Sequence, residues 1–326
     1  MTTYWWLAGL GAVGTLVLTP LVTRASTRLG LVDAPGGRKV HATPVPRLGG
    51  VAVAAAAGLA LASAALLLPG VSGHLGTVAP ILIGAALVFL VGLWDDARTA
   101  GPWPKLAVES AAAVVVMAGG LLIERVTLAG VTWQLGWMAW PMTWLWIVGL
   151  TNAFNLIDGI DGLASGIAVI AGATCGTMLI LRGHPGEAML VVAATGAAAG
   201  FLVYNFNPAS IFLGDSGSLL FGFLLATTAL AGWQKGATAL AAGVPLLIFA
   251  LPITDTAAAL ARRLVRPGDA HPRLGTVLGR VMEPDRDHIH HRLLALGLSE
   301  RRVVLLLYGV SMALSLLALA TARVDG

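Results

Sequence analysis

Five short polar islands interrupt an otherwise apolar chain of 326 residues: Asp95-Asp96, the segment from Asn152 to Gly162, Asn205-Phe-Asn-Pro208, Gly214-Asp-Ser-Gly-Ser218 and His288-Ile-His-His291. Each sits at the end of an apolar run. Asp95 and Asp96 are adjacent carboxylates with Lys105 a few residues on, a combination suited to a cation, a proton, or a phosphoryl centre held by metal. The bland alternative is a solvated turn that ends a helix. Asn155, Asp158 and Asp161 recur at i, i+3 and i+6, with Asn152 one step earlier; on a helical turn these side chains face roughly one way. Neither Lys nor Arg lies nearby in sequence to neutralise them, so an external cationic or hydrogen-bonding partner is implied. A plain capping turn would need neither both acids nor Asn152.

Asp215 sits among small residues at the mouth of an apolar run. Its hard oxygens suit Mg²⁺, and its small neighbours let backbone N–H groups approach an anion. Phe212, three residues earlier, could stack on a base. His288, His290 and His291 stand beside Arg292. Zinc would ask for further soft ligands, and the chain has one cysteine, Cys175, inside an apolar run. Histidines next to arginines suit phosphate or sugar hydroxyls at least as well. Between Pro35 and Gly50 a Pro- and Gly-rich turn carries Lys39, His41 and Arg47, cations that could meet a phosphate; ordinary topological charge is the competing reading.

These islands need a scaffold, and composition says which kind. The chain is 57% hydrophobic and 11% charged with a mean hydropathy of +0.84, against roughly 25% charged residues in soluble domains. Ten segments satisfy the length of a membrane span: near 4–22, 48–68, 77–93, 105–123, 139–156, 163–181, 188–204, 217–232, 238–260 and 303–322. The first lacks a positive flank and a cleavage pattern and reads as a retained span. Sixteen of the 20 Lys and Arg fall in alternate loops on the side that holds every polar island, and four on the other. The positive-inside rule then places the islands in the cytoplasm and both termini outside. The excess positive charge is explained by an anionic membrane surface and a phosphorylated substrate, without nucleic acid. Residues 124–138 alternate about Ala129-Gly130 and predict a small external β-hairpin. The expected fold is therefore an all-α polytopic membrane protein, one domain over 1–326, with about ten spans and its site loops in the cytoplasm.

Taken in order, the islands resemble the polyprenyl-phosphate N-acetylhexosamine-1-phosphate transferases, over roughly residues 33–308. The resemblance rests on Arg-Lys-x-His…Pro-x-Pro-Arg-x-Gly-Gly, Asp-Asp…Lys, Asn-x-x-Asp-Gly-x-Asp-Gly, Asn-x-x-Pro-Ala…Phe-x-Gly-Asp-x-Gly-Ser and His-x-His-His. It implies attack of a polyprenyl phosphate on the β-phosphate of a UDP-N-acetylhexosamine, with release of UMP, at a bacterial plasma membrane. By position it implies Asp215 as ligand of Mg²⁺, with Mn²⁺ a substitute, and Asp95 and Asp96 as catalytic acids. Lys105 would neutralise phosphate charge. Asn152, Asn155, Asp158, Gly159, Asp161, Asn205 and Phe212 would form the nucleotide pocket. His288, His290, His291 and Arg292 would meet the sugar-diphosphate end, and Lys39, His41 and Arg47 the acceptor. Glu109 departs from the Gln that relatives often carry. The His-Ile-His-His-Arg run is similar to the GlcNAc branch more than to the muramyl-pentapeptide branch. A cation-coupled transporter is the rival class, but its site would lie at mid-membrane between repeats. A homodimer is left open.

Overall fold

The computed structural model describes residues 1–33, 44–128, 131–233, 245–265 and 288–324. In chain order the helices are α1 (Thr2–Arg28), α2 (Gly49–Leu67), α3 (Val71–Thr77), α4 (Ala79–Arg98), α5 (Pro102–Ala118), α6 (Ala139–Ile157), α7 (Leu163–Leu181), α8 (Pro185–Asn205), α9 (Gly214–Trp233), α10 (Ala250–Val265), α11 (Ile289–Ala295) and α12 (Glu300–Val324). Helices dominate because lipid offers no partner for backbone N–H and C=O groups, so each segment must satisfy its own. Proline opens α5 and α8, where a missing N–H costs nothing and φ is already helical.

Seven of these helices, α1, α2, α4, α7, α8, α9 and α12, are long and apolar enough to cross a membrane. The protein is a multi-pass membrane protein. Among the described residues, seven of the ten predicted spans meet that standard. The predicted span 105–123 is the 17-residue α5, which carries Lys105 and Glu109 in its first two turns. The predicted span 139–156 is α6, which ends in the polar Asn152 to Asn155 stretch. The predicted span 238–260 lies partly outside the described residues, and the helix found there, α10, has 16 residues. Helix α4 also runs past the predicted end at 93 to Arg98, so Asp95 and Asp96 belong to its last turns and not to a following loop.

Two small antiparallel pairs complete the structure. Strand β1 (Val32–Asp33) pairs with β2 (Val45–Pro46), and β3 (Arg125–Leu128) with β4 (Val131–Gln134) in the register Arg125 to Gln134. Lys39 and His41 lie outside the described residues, in the segment whose two ends β1 and β2 bring together.

Helix α9 is the axis of the bundle. It packs on α4, α6, α2 and α7 and is almost wholly enclosed. Without a hydrophobic drive between helices in lipid, close approach of small residues must hold the spans together. Along the α1–α8 seam, a side chain on Gly196 or Gly200 would run into the backbone of Ala8 or Ala12. The same device locates the first turn of α9. Gly50 of α2 lies against Ser216 and Gly217, and a Cβ on Gly92 of α4 would lie 2.6 Å from the Asp215 carbonyl oxygen and the Ser216 Cα.

Gly92→Ala should therefore lower the thermal unfolding midpoint of the purified protein by several degrees. Alanine favours a helix by roughly 0.8–1.0 kcal/mol, but the overlap is with rigid backbone, and overpacking costs typically about 1–3 kcal/mol. Gly58→Ala on α2, where nothing lies within 4 Å, is the control and should be neutral or stabilising. Equal effects of the two substitutions would remove the packing argument.

Candidate active site

The site grows from the N-terminus of α9, whose first N–H groups have no partner within the helix. Asp96 supplies them. Its carboxylate accepts from the Asp215 N–H at 2.8 Å, the Ser216 N–H at 3.0 Å and the Ser216 hydroxyl at 2.6 Å. A carboxylate at this end also faces the positive pole of the helix dipole. Gly214, with φ of +74°, makes the turn into the helix, and it packs against the Asp96 carboxylate. The preceding strand-like stretch is stitched to the α2 entry. The Phe212 N–H donates to the Pro46 carbonyl at 2.8 Å, and the Gly49 and Gly50 N–H groups donate to the carbonyls of Phe212 and Leu213 at 3.0 and 2.7 Å. Arg47, in that same turn, pairs with Asp33.

Held this way, Asp215 meets three other predicted residues. Lys105 of α5 donates to Asp215 at 2.6 Å and to Asp95 at 3.3 Å, so one ammonium bridges the two carboxylates. The Ala100 N–H donates to Asp95 at 2.6 Å. Asn155 of α6 approaches Asp215 at 3.4 Å through its amide nitrogen, and the Ser218 hydroxyl donates to the Asn155 amide oxygen at 2.9 Å. Asn152, one turn earlier, donates to Glu109 and to the Val148 carbonyl, tying α6 to α5 below Lys105.

The i, i+3, i+6 spacing of Asn155, Asp158 and Asp161 does not produce one helical face. Helix α6 stops at Ile157, Asp158 is its C-cap, and the chain turns through Gly162 at φ +78° into α7. Asn155 therefore points toward Asp215, whereas Asp161 turns the other way. Asp161 accepts from the Asn207 amide at 3.3 Å and the Ala209 N–H at 2.8 Å. Asn205 is 2% exposed, with its amide committed to the Ser165 hydroxyl at 2.7 Å and the Ile211 carbonyl at 3.0 Å. Asn205 and Asp161 thus brace the 206–213 loop from within the protein.

Asp158 is different. It is half-buried, and no described residue donates a hydrogen bond to its carboxyl. Burial, reinforced by the carboxylates of Asp215, Asp96 and Asp161, pushes its pKa up to about 8. An arriving cation or hydrogen-bond donor would find an acceptor there.

The histidines close the same side. His290 is 2% exposed and its ring lies against Gly159. Its pKa falls to about 4 because it is buried, with His291 and His288 adding like charge against the opposing pull of Asp255. His290 is therefore neutral at pH 7. His291 and Arg292 are exposed.

Sequence reasoning missed five contributors. Ser216 and Ser218 were read only as small residues. Glu300 of α12 accepts from Asn207, and the Arg301 guanidinium donates to the Asn207 carbonyl at 2.9 Å. The fifth is Asp255 of α10, hydrogen-bonded to His288; a lone acid within the predicted 238–260 span was the available signal. Among the described residues no three His, Cys, Asp or Glu are grouped to hold a metal.

Helix ends bring carboxylates, amides and one bridging lysine together into a polar site, and comparison with known proteins gives its family. A model of glycosyl transferase family 4 matches residues 78–233. The chain is 37% identical over 306 residues to a protein of Bacillus subtilis (strain 168) described as a probable undecaprenyl-phosphate N-acetylglucosaminyl 1-phosphate transferase, covering 93% of this chain and 81% of that one. It is 35% identical over 328 residues to the decaprenyl-phosphate N-acetylglucosaminephosphotransferase of Mycobacterium leprae (strain TN), covering 93% and 80%. Against the undecaprenyl-phosphate alpha-N-acetylglucosaminyl 1-phosphate transferase of Escherichia coli (strain K12) identity is 28% over 302 residues, covering 90% and 77%. The chain belongs to glycosyl transferase family 4.

The raised pKa of Asp158 has a testable sign. An unfolded Asp loses its proton near about 3.9, whereas the folded one keeps it to about 8. Between those values the native state binds the extra proton, so stability falls as pH rises through the window. Asp158→Asn removes that penalty. Its thermal midpoint minus that of wild type should grow from pH 5 to pH 8 in the ligand-free protein. A difference independent of pH would mean that Asp158 titrates normally.

Proposed function

We propose that this protein transfers N-acetylglucosamine-1-phosphate from UDP-GlcNAc to a polyprenyl phosphate, releasing UMP and starting a cell-envelope glycan. The observation that carries the reading is the Asp95–Lys105–Asp215–Asn155 cluster, assembled from the ends of four helices. In the reaction, an oxygen of the lipid phosphate forms a bond to the β-phosphorus of the donor. The bond from that phosphorus to the α–β bridging oxygen breaks, and UMP departs with the electron pair. Catalysis of this kind is positioning plus electrostatic stabilisation of the phosphoryl oxygens.

The residues divide the work. Asp96 is saturated by three donors and serves as a cap; Asp95, with one backbone donor and a shared ammonium, is the base that keeps the acceptor phosphate deprotonated. Lys105, already balanced between two carboxylates, is placed to shift toward incoming phosphate oxygens. Asp215, with Asn155 beside it, would hold Mg²⁺, or Mn²⁺ in its place, which when bound supplies positive charge to the diphosphate. The Asp158 turn and His290 form the donor side, and Arg47 the acceptor side. Phe212, fixed by its backbone, stands where a base could stack. The sixteen-to-four distribution of Lys and Arg supports a cytoplasmic site and outer termini, the side on which a nucleotide sugar is available. The family relatives' names favour GlcNAc over a muramyl-pentapeptide.

UMP release by the purified protein, with UDP-GlcNAc and UDP-MurNAc-pentapeptide side by side and a polyprenyl phosphate acceptor, tests the reading. Turnover is expected with the first donor only, and loss of it in excess EDTA. Asp95→Asn should lower turnover by at least about 10², the scale of lost acid–base help, with an unchanged thermal midpoint. Asp215→Asn should abolish turnover, and Asp96→Asn should lower turnover and midpoint together. An Asp95→Asn enzyme as active as wild type would return the base to Asp96 or to the substrate.

A further inference from the structure

One buried acid has no part in the chemistry above. Asp255 is 3% exposed in α10, and both its oxygens are committed to one short segment of chain. One oxygen pairs with His288 Nδ1 at 2.9 Å and the other accepts from the Ile289 N–H at 2.8 Å. The bond to a carboxylate places the proton on Nδ1 and so fixes both tautomer and ring plane of His288. The Ile289 N–H is the first of α11, so the same carboxylate caps that helix. The rings of His288 and His290 are then parallel, 3° apart with centroids at 5.8 Å, and His290 meets His291 at 4.3 Å. At the end of this row His290 reaches Gly159: a Cβ there would sit 2.5 Å from its Nε2. That nitrogen is buried and has no hydrogen-bond partner among the described residues. A buried ring nitrogen without a partner carries a desolvation cost that an arriving ligand group removes. The dock is therefore shaped for something beyond folding.

We propose that Asp255 is a positioning residue of the transferase site: by holding His288 and the first turn of α11 it docks His290 on the Asp158–Asp161 turn and sets the donor-side wall. This rests on the reading that the turn and the histidines face the nucleotide sugar. Asp255 acts through His288 and His290 and touches no substrate itself. Its loss should be felt in donor binding, and not in acceptor binding or in overall folding.

The experiment uses the full-length protein in detergent and has two readouts. The first is carbethoxylation of His290 by diethylpyrocarbonate, located by mass spectrometry; it needs no activity. Wild type should be protected, and Asp255→Asn should react at least about tenfold faster. The second is kinetics of UMP release. Asp255→Asn should raise KM for UDP-GlcNAc by about 10- to 100-fold, the usual scale for an outer partner of a functional histidine, with KM for polyprenyl phosphate within about twofold of wild type. Ile289→Pro, which deletes only the second donor at a helix position that tolerates proline, should show the same pattern more weakly, and it decides the matter if Asp255→Asn does not fold. Unchanged protection of His290 overturns the proposal. So does faster labelling without a change in donor KM, or an equal rise in both KM values. If wild type releases no UMP from UDP-GlcNAc, the proposed function fails. The proposal then stands or falls on labelling together with the affinity of UDP-GlcNAc measured by calorimetry.

Discussion

Everything in the site depends on a single carboxylate at a helix N-terminus. Asp96 gathers three donors from the first turn of α9, and this fixes the height and rotation of α9 against α4. Neighbouring residues on a helix point roughly 100° apart, so the adjacent acids of α4 cannot serve one point. Asp96 turns inward to cap, and Asp95 is left beside Lys105. The close approach this demands is possible only because Gly92 and Gly50 offer no side chain to the same turn. With the turn fixed, Asp215 projects between α4, α5 and α6, where Lys105 and Asn155 reach it.

The charge balance follows from that placement. Asp95, Asp96, Asp158, Asp161 and Asp215 crowd one end of the bundle, and Lys105 is the cation that pairs with two of them. Among the described residues this end of the bundle holds more acids than cations. Hard oxygens with few protein ligands are what Mg²⁺ accepts, and this supports the proposal that a divalent cation arrives with the substrate. The neutral, buried His290 against Gly159 adds no charge to this end.

Much of this was legible in the chain. Acids at the ends of apolar runs are costly in lipid, so Asp95, Asp96, Asp158 and Asp215 had to face protein or water, and their convergence followed from a shared membrane side. What could not be read was the division of labour. Nothing in the dipeptide Asp95-Asp96 says which acid caps and which reacts, because that depends on α9, over a hundred residues away. The Asn155, Asp158, Asp161 periodicity suggested one helical face, but α6 ends at Ile157, inside the repeat. The pairing of Asp255 could not be read because its partner, His288, lies 33 residues further on. Three of the ten predicted spans remain unconfirmed for a plain reason: among the described residues α5 and α10 are short, and α6 is polar at the site end.

The Asp158–Asp161 turn is braced from far along the chain. Asn207 is shared between Asp161 and Glu300, Arg301 holds the Asn207 carbonyl, and the Tyr308 hydroxyl donates to the Gly162 carbonyl at 2.5 Å. Helix α12 is thus a buttress for a turn made some 140 residues earlier. A chain growing from the ribosome inserts its spans from the N-terminus onward, so α4 and α9 can associate while α12 is still unmade. The pocket wall can set only after α12 has entered the bilayer. Maturation of the site therefore waits on α12, and a nascent chain stalled before that helix would hold the acids in the membrane without the wall that frames them.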